Sequence, residues 1–345
     1  MNDDLRELAA SIFAASVSAG AGAADTGFDA DLWTTLDGSG LARLTLPESA
    51  GGSAGSMLDA AVVLAEAGAH AARVPLVETD LLAGWLLQAA GVALPPGPLT
   101  AVVGDLHVSG DRVAGQLRRV PWARAATGLV VLTPAHVVLL GPAELRITDG
   151  TNLAEEPRDS VAVGSASRGA PALAVLPAPR GAAAEFRLRA ALGRSQLLAG
   201  AARAALAGSV RYARERVQFG RPIGRFQAVQ QQLALAAAEV AAASAAATAA
   251  ANAATADGFD AASTRFAVAA AKARTGEAAG AVARIAHQVH GAIGFTREHD
   301  LRLATTRLWS WREEDGSDAT WNAEVGAAVL AAGPDALWPL ITGSP

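Results

Sequence analysis

The stretch Tyr212–Gln231, YARERVQFGRPIGRFQAVQQ, decides the fold. Before and into it, Leu198, Ala202, Leu206, Val210, Ala213 and Val217 recur at steps of four and three, the spacing of a helix with one buried face. From Phe226 the pattern resumes through Val229, Leu233, Ala237 and Val240. Gly220, Pro222 and Gly224 stand between, so the first helix cannot simply run on into the second. The minimal reading is a helical hairpin. On the residues alone, Arg216 and Gln218 need only decorate a helix end, and Phe219 need only fill an apolar gap.

Composition bounds what such a hairpin can belong to. The 345 residues are ample for a core and for one to three domains, and 51% hydrophobic with 18% charged residues is a globular profile. A net charge of −5 leaves no basic footprint for nucleic acid, and no GxxxxGK[ST] phosphate loop occurs. Cysteine is absent, which excludes disulfides, thiolate metal sites and a cysteine nucleophile, and the six His fall in no tight ligand spacing, so no metal is expected. The start MNDDLRELAASIF is acidic where an export signal needs positive charge, so a cytoplasmic protein is expected. Leu233–Ala254 is mostly alanine and holds Glu239 and Asn252, which reads as a close-packed helix and not a membrane span.

In chain order, residues from about Asp4 to Gly91 read as helices, with Leu5, Leu8, Ile12 and Phe13 on one face, Leu58, Ala61, Val62, Leu64 and Ala65 on another, and an apolar run from Leu81 to Leu87. Between them LPESAGGSAGS, Leu46–Ser56, reads as a turn with Ser56 capping the next helix. After Pro95, Pro96 and Pro98 come short β-rich runs: Leu99–Val103, Leu106–Val108, Val113–Val120, Gly128–Leu132, His136–Leu140, Leu145–Thr148 and Ser160–Val163. Ser109-Gly110-Asp111 is a hairpin tip, and so many short strands suggest a small barrel or sandwich. Four long helices are expected near Glu185–Arg216, Phe226–Asp257, Ala261–Val289 and Asp318–Ala332, as in a bundle. The expected domains are 1–98, helical; 99–180, β; and 181–345, a four-helix bundle.

R-x-Q-F-G-x-P-I-x-x-F-Q, Arg216 to Gln227, resembles the signature of the acyl-CoA dehydrogenase flavoproteins. Gln288 to Phe295 resembles that family's Q-x-x-G-G-x-G-F segment, and Pro47 to Gly55 its P-E-x-x-G-G-x-G segment with one extra residue. The order helices, β, bundle matches the family's layout, so the resemblance spans nearly the whole chain. It implies an enzyme that removes the α-proton of an acyl-CoA with a carboxylate and passes the β-hydride to FAD, and then to an electron-transfer acceptor. The family's two strings reach the adenine and pyrophosphate end of a neighbouring subunit's FAD. By that comparison Arg216 is the pyrophosphate partner, Gln218, Phe219 and Gln227 contact the dinucleotide from the hairpin, and Gln288, Gly291 and Ala292 line its far side. Ala292 replaces the usual second glycine and adds a methyl to the approach.

Two family features are missing or altered. Neither T-E-x-x-x-G-S-D nor W-I-T/S, which hold the flavin ring, is present; Trp122 in RVPWARAATG reads as a packing residue. The family's E-G-T/S base motif falls on Asp315-Gly316-Ser317 of WREEDGSDATW, so Asp315 is the candidate catalytic base, with Asp318 as the cap of the last helix. One methylene fewer pulls the oxygen back by roughly an ångström, a misplacement worth about a hundredfold in rate. The residues alone also allow a solvated acidic turn. His290 is expected to bond backbone or dinucleotide, and Trp309, Trp311 and Trp321 to pack about Asp315. The chain resembles the smaller, partner-type subunits of heteromeric actinobacterial acyl-CoA dehydrogenases of steroid or terpenoid side chains, which are α2β2 assemblies. A self-sufficient homo-oligomer using Asp315 and a non-catalytic scaffold without FAD are the alternative expectations.

Overall fold

The computed structural model describes residues 2–18, 27–165 and 169–342. Residues 19–26, part of the expected N-terminal helical region, lie outside them. In chain order come α1 (Asn2–Ser18), α2 (Ala30–Gly38), α3 (Met57–Ala69), a π-helical segment Val77–Gly84 and α4 (Trp85–Ala89). Strands follow: β1 (Leu99–Val103), β2 (His107–Ser109), β3 (Arg112–Pro121), β4 (Gly128–Leu132), β5 (His136–Leu140), β6 (Leu145–Thr148), β7 (Arg158–Val163), β8 (Ala170–Pro171) and β9 (Ala174–Pro177). The last part holds α5 (Ala182–Glu215), β10 (Val217–Gln218), β11 (Arg221–Pro222), α6 (Gln227–Asp257), α7 (Ala262–His290), α8 (Leu301–Trp311), α9 (Asp318–Ala332) and α10 (Leu337–Thr342). This is the expected sequence of helical region, β region and helical bundle. The chain forms two compact units, one of Met1–Asp25, Met57–Ala72 and Ala191–Pro345, the other of Thr26–Ser56 and Arg73–Ala190.

In the second unit, β1, β4, β5 and β9 form one sheet in that order, with β1 parallel to β4. A second sheet runs β2, β3, β7, β6, with β8 on β3. Their alternate side chains, among them Val113, Leu117, Leu129, Val131, Val138, Val161 and Val163, close into one apolar core. The tip after β2 is as expected, Ser109 pairing with Arg112 and Gly110 at φ +61°. β8 and β9 escape the sequence reading, because two-residue pairing and a Pro-bounded edge strand carry almost no periodic signal.

The apolar run before Leu87 is a π-helix in its first part, a geometry that hydrophobic spacing does not encode. Thr79 Oγ1 donates to Leu99 O and accepts from Leu99 N, fastening the segment to β1. Asp80 accepts from Thr45 N and Thr45 Oγ1, both at 3.0 Å. Burial pushes the Asp80 carboxyl up to about 7, against the opposing pull of the Thr45 bonds and Arg189. Because that value lies above the ordinary 3.8, the stability Asp80 contributes is present below about pH 4 and is lost as the pH rises through about 7. Asp80→Asn cannot ionise; relative to wild type it should gain about 2–3 kcal/mol between pH 5 and pH 8, measured by urea unfolding at each. An unchanged difference would show that Asp80 does not titrate in this range.

In the first unit, α6 lays Ala236, Val240, Ala243, Ala247, Ala250 and Ala254 inward and packs chiefly on α7. By length and composition α6 is apolar enough to cross a bilayer, and its alanine face explains both facts. Small side chains let helices approach closely: a Cβ on Gly200 of α5 would sit 1.9 Å from Ala65 O, and one on Gly68 of α3 2.2 Å from Leu197 O. Leu198, Ala202, Val282, Ala286, Leu308 and Trp311 form the core between α5, α7 and α8, each buried leucine contributing about 1.5–3 kcal/mol. Helices α8 and α10 are additions to the expected four. The cap of α9 is Ser317, whose Oγ accepts from Thr320 N, and not Asp318. Asp318 instead takes the Arg312 guanidinium at 2.7 Å.

Candidate functional site

The connection between α5 and α6 is a tight β-hairpin. Val217 pairs with Pro222 and Gln218 with Arg221, leaving Phe219 and Gly220 as a two-residue turn at φ +50° and +76°. Two left-handed residues in succession make the type I′ turn that suits the twist of a hairpin. Glycine takes this conformation freely, but phenylalanine does so at a cost of about 1–3 kcal/mol. Phe219 is 93% exposed, touching Phe226 only edge-on at 6.1 Å. It fills no gap in the chain, so strain and exposure together require another explanation.

Among the described residues, the side chains of Arg216, Gln227 and Gln288 have no hydrogen-bond or ion-pair partner, and all three are exposed. Gln218 donates only to its neighbour's carbonyl, Val217 O, at 2.8 Å. The second string sits close by. Ile223, just after the hairpin, and Val229 of α6 pack with Ile285 and Val289 of α7 in one apolar cluster. Gln288, Gly291 and Ala292 line a cavity of about 500 Å³ together with Arg284, His287, Phe295 and Trp309. Gly291 ends α7 at φ +66°, and Ala292 is exposed.

That cavity contains a side chain the sequence does not single out. His287 is stacked between Phe295, at 4.2 Å, and Trp309, at 5.1 Å and 5° from parallel. Its Nε2 meets Thr305 Oγ1 at 3.0 Å, while Nδ1 is buried without a partner. Burial, then the charge of His290, holds the His287 imidazole below its usual value, so it is neutral at pH 7. Trp309 therefore belongs to this stack. His290 bonds backbone, as expected, through Nδ1 to Ala286 O at 2.8 Å.

Asp315 is placed apart from both strings. Its Oδ2 accepts from Arg194 Nε at 2.9 Å, and the same guanidinium reaches Glu314 at 3.5 Å. The Arg194 side chain is only 5% exposed, that of Asp315 26%. Trp321 Nε1 donates to Asp315 O, and the fully buried Lys272 of α7 donates to Arg312 O and Gly316 O at 3.0 and 2.6 Å. Burial lowers the Lys272 pKa to about 8, with the charge of Asp315 opposing the shift most strongly. Asp315 itself sits at φ +58°, in a turn fixed from α5, α7 and α9. Lys272 and Gln288 are sixteen positions apart on α7, about 24 Å along its axis. The two regions are thus separate places on the bundle. Trp122 is buried, as a packing residue should be, with its N–H bound to Pro157 O.

Helices, a two-sheet β region and a bundle bearing these two strings in sequence are the architecture of the acyl-CoA-oxidising flavoproteins. Residues 2–93 match the acyl-CoA dehydrogenase N-terminal domain and residues 187–330 its C-terminal domain. Acyl-CoA dehydrogenase IpdE2 of Mycobacterium tuberculosis is 34% identical over 322 residues, covering 87% of this chain and 88% of that one. The chain belongs to the acyl-CoA dehydrogenase family. Among solved structures, the ChsE4-ChsE5 complex from Mycobacterium tuberculosis superposes with a TM-score of 0.83 at 23% identity, over 96% of this chain and 98% of that one. A Tcur3481-Tcur3483 steroid acyl-CoA dehydrogenase variant gives 0.80 at 24% identity, over 96% and 98%.

Proposed function

We propose that this chain is a partner-type subunit of an acyl-CoA dehydrogenase, presenting the adenine and pyrophosphate side of a FAD site to a neighbouring subunit. The observation that carries this is the outward cluster of unpaired Arg216, Gln227 and Gln288 beside a strained, 93% exposed Phe219. A guanidinium fork matches a pyrophosphate, amides match ring nitrogens and hydroxyls, and an aromatic face matches adenine. These residues fit one end of the dinucleotide; the flavin-holding strings are absent and Trp122 is buried, so the ring end is left to the neighbour. When bound, FAD supplies the hydride acceptor for α,β-dehydrogenation of an acyl-CoA, with electrons leaving to an electron-transfer acceptor. The likeness to the ChsE4-ChsE5 complex and to a steroid acyl-CoA dehydrogenase supports a two-chain enzyme acting on a steroid-type side chain.

Asp315 is the counter-ion of Arg194 in this reading, and the proton-abstracting carboxylate comes from the partner. The decisive experiment purifies the chain alone and with the protein of a neighbouring gene, reading flavin absorbance and turnover. Flavin and activity should appear only in the assembly. Full occupancy and turnover in the lone chain would establish the self-sufficient homo-oligomer instead. Phe219→Asn gives an independent check, since asparagine accepts the left-handed turn. The isolated variant should be as stable as wild type or better by up to about 1 kcal/mol in thermal unfolding. Its assembly should retain less FAD; unaltered retention would remove Phe219 from the site.

A further inference from the structure

Two strings far apart in sequence face the same proposed ligand, so something must hold them in register. The apolar cluster of Ile223, Val229, Ile285 and Val289 keeps them adjacent, but aliphatic contacts set no orientation. A second connection is directional. The Tyr212 ring stacks on His290 at 4.4 Å and 23°, and Tyr212 Oη donates to His290 O at 3.4 Å. His299 lies edge-on to both, 6.1 Å from Tyr212 and 4.8 Å from His290. Tyr212 O accepts from Arg216 N at 2.8 Å, one helical turn before the hairpin, and His290 adjoins Gly291 two positions after Gln288. Each ring is therefore tied by backbone to one string.

The hydrogen bonds also fix the protonation of the imidazoles. Ala286 O can only accept, so His290 Nδ1 carries the proton. Leu301 N can only donate, so His299 Nδ1, at 3.0 Å, is the unprotonated nitrogen. A proton added to His290 Nε2, which has no partner among the described residues, would place a cation against the edge of His299. A cavity of about 820 Å³ lies beside these rings and gives protons access. From α5 it is faced by Arg203, Arg211 and Glu215, and from the loop after α7 by Asp300. From α3 and its end come Glu66 and His70, Glu66 being neutralised by Arg203 at 2.8 Å. On α7 itself His287 is the neighbouring titratable group. Burial chiefly, with His299 and Arg211 adding to it against the Ala286 bond, holds His290 below its usual value.

The geometry points to Tyr212 and His290 as a positioning pair that locks the Arg216–Gln227 hairpin and the Gln288–Phe295 segment into one cooperative element. Its use rests on the proposed dinucleotide role of the strings; the coupling itself does not. Amide hydrogen exchange on the full-length chain, read at residues 214–227 and 287–299, tests it without cofactor. Tyr212→Leu should speed exchange in both segments together by about three- to tenfold, the value of an aromatic pair, while α1 and the β strands stay unchanged. Tyr212→Phe, which keeps the ring, should restore slow exchange. His290→Leu, which removes the other ring, should show the same joint loosening, an arm that stands even if Tyr212→Leu fails to fold. A response in one segment alone, or a phenylalanine variant as loose as the leucine one, would overturn it. FAD retained in full by an Arg216→Ala assembly would overturn the dinucleotide role and leave the coupling standing.

Discussion

Replacing Arg194 by methionine should lower the unfolding free energy by about 3 kcal/mol, because it leaves the Asp315 and Glu314 carboxylates without their cation in a largely closed site. The cost sits at the lower end of such values because Asp315 keeps 26% exposure. Asp315→Asn should destabilise less, and the double variant should be more stable than the sum of the two single effects predicts, since loss of Arg194 then strips its cation from one carboxylate, Glu314, and not from two. Urea unfolding of the four proteins measures the coupling. Strictly additive effects would mean that the ion pair does not hold the turn. The same Asp315→Asn chain in the flavin-loaded assembly should keep turnover within about twofold, whereas removal of a general base costs about 10²–10⁴. Those two outcomes are far enough apart to settle where the base lies.

The second large effect is on cofactor retention. Arg216→Ala should weaken FAD binding by the assembly about 10- to 100-fold, the value of a lost charge-assisted hydrogen-bonding group, with no loss in the thermal stability of the lone chain. The absence of a stability effect follows from the fold: Arg216 is exposed and its guanidinium has no partner among the described residues. Equilibrium dialysis of FAD against wild-type and variant assemblies provides the reading. Equal affinities would place the pyrophosphate elsewhere.

These predictions differ in how far the sequence reaches them. The hairpin was legible at once, because Gly220 and Pro222 interrupt two long runs of helical spacing, and interruption is a local property. Seven of the strands fall within a residue or two of their apolar runs, and the long helices start and stop close to the expected places. Residues Arg216, Gln227 and Gln288 could be named because their strings are contiguous. What the strings could not show is that nothing among the described residues pairs with these three side chains.

Around Asp315 the situation is reversed. The acidic turn WREEDGSDATW is plain in the sequence, but its partner Arg194 lies 121 positions away and Lys272 on a third helix. The only forewarning is a cation standing within otherwise apolar helical faces, ALGRSQLLAG and AAAKARTG, and long cations more often lie along a surface than inside it. His287 was passed over for the same reason, its stack being assembled from residues 295 and 309 after a change of chain direction.

The sequence by itself determined the order of helical region, β region and bundle, the hairpin, and the family strings, all of which depend on spacing along the chain. Only the tertiary structure decided that Asp315 is bound to a buried guanidinium, that Phe219 stands outside in a left-handed turn, and that Tyr212 and His290 join the two strings. Those are facts about which distant groups meet, and the meeting is set by close packing of small residues on α3, α5, α6 and α7, where one added Cβ would move a helix.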